Sequence, residues 1–169
     1  MNNGKLVIVV IFGLALAAAV FAMWHRYSQT RRALDFWGSE TAELVTRAPR
    51  VELLRLAPGT AESGADGGES LVVQGIALRV LDRRDVTAAR GILNVRYALT
   101  IDRNYDWQPA TADCRVQWDY ALRFVDGPRH TTLVFSHNCR LAARADRAGE
   151  VAIDPIVDAL WTFFEEQWQ

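Results

Sequence analysis

The sequence predicts an α+β protein: an N-terminal transmembrane helix, then one domain whose antiparallel sheet of four to five strands carries two to three helices on one face. Three observations lead there. Residues 114–141 alternate apolar and polar on both sides of an Asp126-Gly127 turn signal, as a hairpin does. The segments after Gly38 and after Asp154 carry helix-spaced apolar residues behind capping residues. Leu6 to Trp24 runs without a charge or a strongly polar side chain.

Residues 1–5 form a short tail. Residues 6–24, "LVIVVIFGLALAAAVFAMW", are numerous enough to cross a hydrocarbon core as a helix, with Trp24 and Tyr27 suited to its interface, so the implied partner of Leu6–Trp24 is the lipid bilayer. A cleavable signal peptide is the rival, with Lys5 as its charged start and Val20-Phe21-Ala22 as its small-residue site; the apolar run continuing to Trp24 favours an uncleaved anchor. Residues 25–37 are expected as a juxtamembrane stalk and 38–169 as the single domain. Gly38 ends the stalk. Ser39 caps a short helix, "SETAELVTRA", with Glu40 and Glu43 near its positive end, and Pro49 stops it.

"VELLRLA", 51–57, is a strand. Residues 58–70, "PGTAESGADGGES", form a flexible loop whose spacing fits neither an EF-hand nor a P-loop. "LVVQGIALRVL", 71–81, is apolar on both parities, as a central strand covered on both faces would be. "TAARGILNVRYALTID" fits two periods. Its length and a cap at Asp85 or Thr87 favour a helix that turns Ala88, Ile92, Val95 and Leu99 inward. "EVAID" adds an edge strand. Asp154 caps and Pro155 opens the last helix, with Ile156, Leu160, Phe163 and Phe164 as its buried stripe.

The hairpin carries both cysteines. With Asp126 and Gly127 as the turn, paired numbers sum to 253, so Cys114 faces Cys139, Trp118 faces Phe135 and Tyr120 faces Leu133. The cysteines then fall at a non-hydrogen-bonded pair, where Cα atoms lie about 4.5 Å apart and a disulfide can form. Disulfides persist in oxidising compartments, which places the domain outside the cytoplasm at the cell membrane as a single-pass protein. The count of Arg26, Arg31 and Arg32 against Lys5 points the other way. The sequence leans outward.

"RRALDFWGSETAELVTRAPRVELLRL" and "VRYALTIDRNYDW…WDYALRFVDG" resemble a group of bacterial single-span membrane proteins, over most of the chain after residue 24. The resemblance implies the same architecture. It carries no activity, cofactor or catalytic residue.

Half of the 169 residues are apolar, which suits one folded domain, and the net charge of −1 lacks the basic excess of a nucleic-acid binder. Nucleophile-elbow, zincin and nucleotide motifs are missing from the sequence, so no catalytic residue and no cofactor are expected. The expected function is a non-catalytic domain that binds a protein partner or serves an envelope structure. The alternative is ligand binding or sensing by "DRNYDW", where Asp102, Tyr105, Asp106 and Trp107 combine acids with aromatics. A remoter alternative is a metal-dependent enzyme around Cys114, His137 and Cys139, whose side chains suit zinc but lack a fourth ligand. Arg79, Arg83, Arg84 and Arg90 cluster locally, interrupted by Asp82 and Asp85.

Overall fold

Seven antiparallel strands make one curled sheet in the order β2-β3-β1-β4-β5-β6-β7. The computed structural model describes residues 3–28, 30–59, 69–108 and 114–169. Most of the loop expected at 58–70 lies outside them. In chain order the elements are α1 (Asn3–Ser28), α2 (Arg31–Trp37), α3 (Ser39–Arg47), β1 (Arg50–Pro58), β2 (Ser70–Val73), β3 (Ile76–Asp85), α4 (Ile92–Ala98), a 3-10 turn (Asp102–Asn104), β4 (Tyr120–Asp126), β5 (Arg129–Ser136), β6 (Leu141–Arg144), β7 (Glu150–Ala152) and α5 (Val157–Glu166).

The α+β class is as the sequence indicates; several of its particulars are corrected. The transmembrane helix is the first. Among the described residues no helix is long and apolar enough to cross a membrane. The anchor, its bilayer contact and the single-pass placement are withdrawn with it.

Strand count is the second correction, seven in place of four to five. The stretch 71–81 is a hairpin at the sheet edge and not one central strand. Gln74 and Gly75 both take positive φ, 50° and 82°, which is what a two-residue type I′ turn requires. Residues 128–141 likewise divide into β5 and β6, because the chain turns at 137–140 with Arg140 at φ 55°.

Hairpin register is the third. Asp126 pairs with Arg129, Leu122 with Leu133 and Tyr120 with Phe135. The turn residues are Gly127 and Pro128, one position later than expected. Gly127 supplies a φ of 59° at the first central position, and Pro128 suits the second with its fixed negative φ. Pairs therefore sum to 255. A shift of two keeps the side chains of β4 and β5 on their expected faces, since strand side chains repeat every second residue, but Trp118 and Leu141, expected beside Tyr120 and Leu133, pack in a second core.

The sheet is buried on both faces. On one, α2 to α5 bury Trp37, Leu53, Leu122, Phe124, Leu133, Phe135, Ile153 and Phe164. The other encloses a smaller core of Leu54, Leu56, Val73, Leu78, Trp118, Ala121, Val134, Leu141 and Ala143. Leu54, Ala121, Val134 and Ala143 form one cross-strand row through β1, β4, β5 and β6. The alanines let the sheet bend inward over this row. Residues 31–37, expected as stalk, form α2, with Ala33 and Trp37 in the main core.

Helices form where expected after Gly38 and Pro155, while the helix expected from Asp85 or Thr87 starts only after Gly91 and leaves Ala88 exposed outside it. Gly38 and Gly91, at φ 82° and 95°, occupy the N-cap positions of α3 and α4, in place of Ser39 and of Asp85 or Thr87. Helix α5 begins at Val157 after Ile156, without a side-chain cap from Asp154. Leu160, Phe163 and Phe164 of its expected stripe are buried, together with Val157 and Trp161.

Candidate functional site

Cys114 and Cys139 form a disulfide with Cα atoms 5.8 Å apart. It does not cross the hairpin ladder. β4 begins only at Tyr120 and β5 ends at Ser136, so the bond joins the arm before β4 to the turn between β5 and β6. Side chains secure the same junction. Asp119 Oδ2 accepts from the His137 amide at 2.9 Å, and Asn138 Nδ2 donates to the Arg115 carbonyl at 2.8 Å. His137 stacks on Trp161 of α5, with ring centroids 4.6 Å apart. Both sulfurs are bonded to each other, and no group of three metal-ligating side chains occurs among the described residues.

The segment 102–107 sits where α2, α4 and the edge of β7 meet. Asp102 accepts from two amides at the start of α2, Ala33 N–H at 2.8 Å and Arg32 N–H at 3.1 Å. It thus caps a helix some 70 residues away, beside that helix's positive end. Tyr105 donates its hydroxyl to the Leu99 carbonyl at 2.6 Å and accepts from the Trp37 indole at 3.0 Å. Burial first, and then the nearby Asp102 carboxylate, push its phenol far above the ordinary value, although the Trp37 bond opposes them. Trp107 donates to the Asp102 carbonyl at 2.9 Å, and Asp106 bridges to Ala152 of β7. Both polar groups of Asp102 and Tyr105 are thus engaged in holding the fold.

Asp106, Trp107 and the disulfide do come together. They line a cleft of about 290 Å³ with Phe36, Leu141 and the backbone of β7. Its acids, Asp106 and Glu150, sit among aromatic and aliphatic walls.

A second capping pair stands opposite. Arg96 of α4 is buried and donates to the carbonyls of Val45 at 3.1 Å and Ala48 at 2.7 Å, closing the negative end of α3. Its desolvation lowers the guanidinium's proton affinity. Because Arg96 faces inward, α4 turns Leu93 and Tyr97 outward, and they are 76% and 61% exposed. Between α4 and α5 lies the roomiest of the clefts described, about 620 Å³. Val95, Ala98, Leu160 and Phe163 floor it, while Arg90 and Glu166 mark one end. The sequence did not single out this groove. Leu93 and Tyr97 do not line it; they border a separate cleft with Thr46, Arg96 and Ile101.

Comparison of the chain with protein-family models, with curated proteins and with solved structures finds no match.

Proposed function

We propose that this chain is a non-catalytic domain that binds a protein partner through the groove between α4 and α5, in an oxidising compartment outside the cytoplasm. The groove carries the proposal: an apolar floor of Val95, Ala98, Leu160 and Phe163 between two helices, bordered by Arg90, Asn94 and Glu166. A contiguous exposed apolar surface with a polar rim favours association over chemistry. The occupant that fits is a short amphipathic helix, whose apolar face would lie along the floor as a third helix of the layer. The disulfide supports the compartment, since such a bond persists where thiols are oxidised.

A photoreactive amino acid at Asn94, an exposed residue lining the groove, tests the site in the full chain expressed in its native host. The adduct is identified by mass spectrometry and its affinity for the purified chain is measured. Ala159→Arg places a bulky charge in the groove from the exposed side of α5. It is expected to weaken that affinity at least tenfold while the melting temperature stays within about 2 °C, because surface substitutions usually cost under ~0.5 kcal/mol. Unchanged affinity in Ala159→Arg would remove the groove from the function. The cleft beside Asp106 and Trp107 would then be the next surface to probe.

A further inference from the structure

The sheet face away from the helices carries a group of charges that the partner groove does not use. Glu52 on β1 lies opposite Arg123 on β4, and Arg123 lies opposite Thr132 on β5. The Glu52 side chain is 4% exposed. Arg50 Nη2 meets its Oε1 at 2.7 Å, while Arg83 and Arg123 approach at 3.7 and 3.8 Å. These two arginines also converge on a second carboxylate. Arg123 Nη1 lies 2.7 Å from Glu69 Oε1, and Arg83 Nη2 contacts Glu69 Oε2. Glu69 directly precedes β2, at the sheet's edge, whereas Arg123 is on β4, three strands along. The carboxylate reaches that far only because the sheet curls.

Each oxygen of Glu69 therefore rests on a different guanidinium, which is how an arginine pair holds a bound oxyanion. The two arginines also have a partner other than Glu69. Glu52 sits beneath both, and Arg123 Nε also points to Thr132 Oγ1 at 3.5 Å. Arg123 is only 17% exposed, so its charge is poorly screened by water. With Glu69 turned aside, the carboxylates left to Arg50, Arg83 and Arg123 among the described residues would be Glu52 and the more distant Asp85, 3.7 Å from Arg50. Turning it aside needs no backbone motion: Glu69 keeps its place through its carbonyl, which accepts from the Val80 amide at 3.0 Å.

We propose that Arg83 and Arg123 form a binding site for a small oxyanion, a carboxylate or a phosphate, which the Glu69 side chain occupies as an internal competitor. Ligand binding displaces that side chain and leaves the sheet intact. This site is independent of the α4–α5 groove, so either proposal can fail alone.

Arginine Nε–Hε resonances of the full chain, titrated with inorganic phosphate and separately with acetate at constant ionic strength, test it. Glu69→Gln is expected to give a saturable shift of the Arg123 signal, with an apparent Kd at least tenfold below that of the wild type. Glu69→Gln combined with Arg123→Gln is expected to lose the response. Saturation by phosphate alone assigns a phosphate site, and saturation by acetate a carboxylate site. A flat Arg123 signal with both anions, in a Glu69→Gln protein that still melts cooperatively, would overturn the proposal and leave Glu69 as a structural ion pair. Equal shifts at Arg115 and Arg147 would overturn it too, as unspecific binding. If Glu69→Gln does not fold, the wild type is titrated to high phosphate, and no selective shift at Arg123 overturns it equally.

Discussion

Replacing Asp102 by alanine isolates the long-range helix cap. The substitution removes both carboxylate oxygens but spares the Asp102 carbonyl, so the Trp107 indole keeps its acceptor. Two α2 amides lose partners. That of Arg32 is exposed and can turn to water; that of Ala33 belongs to a residue with no exposed surface. Loss of an N-cap side chain costs about 1 kcal/mol. Loss of a negative charge at the helix's positive end adds about 0.3–1 kcal/mol. An amide left partly buried without a partner adds roughly 1 kcal/mol more. The expected total is about 2–3 kcal/mol, or roughly 6–12 °C in melting temperature for a domain of this size. Asp102→Asn keeps one good acceptor and should cost only about 1 kcal/mol. Thermal and urea unfolding followed by circular dichroism measures both. An Asp102→Ala protein melting within about 2 °C of wild type would refute the capping account, as would equal losses in the two variants.

The paired substitution Cys114→Ser/Cys139→Ser should destabilise by about 1–2 kcal/mol, below the ~3 kcal/mol that chain entropy gives, because Asp119 and Asn138 already hold the junction; unfolding with and without reductant measures this, and the non-reduced mass reports the bond. Arg96→Met should cost about 2–3 kcal/mol by stranding the Val45 and Ala48 carbonyls at the end of α3, readable as a lower urea midpoint. Hydrogen bonding from Arg144, above all, holds the Asp146 carboxyl below its ordinary range. Its contribution is therefore fully present above the ordinary carboxylate value and is lost as pH falls through the lowered one. Asp146→Asn should lower stability at neutral pH by that contribution and flatten the acid limb, so that the two proteins converge below about pH 4.

Local patterns in the sequence carried much of the domain and misplaced the rest for identifiable reasons. The alternation around residue 126 specified the faces of β4 and β5 even though the turn sits one residue later, because an even shift preserves parity. Gly75 alone marked the β2–β3 turn. It stood in an apolar run that also fits a buried strand, so the hairpin was missed. The cysteines were paired correctly from a ladder that does not extend to them; their meeting depends on the separate turn at 137–140. The second core was hidden because Ala121 and Ala143 look unremarkable on an outer face until curvature brings Trp118 and Leu141 over them. Asp102 and Arg96 carry no local mark at all of the helix ends they close. Their partners lie 69 and 51 residues away in the chain. The capping role of Asp102 could not be separated in sequence from a place in a ligand site.

The position of β1 has a consequence for how the chain matures during synthesis. β1 is third in the sheet and pairs with β3 on one side and β4 on the other. Its first partner follows soon after it. The second begins only at Tyr120, about 35 residues beyond the end of β3, which at ~5–20 residues per second is an interval of a few seconds. Throughout that interval one edge of β1 is an open template carrying Val51, Leu53 and Leu54. The β4–β5 pairing that completes the centre of the sheet closes at Ser136, three residues before Cys139 emerges. Cys139 thus follows the central strands but precedes β6, β7 and α5, so the bond can close once the centre of the sheet has paired and before its far edge is added.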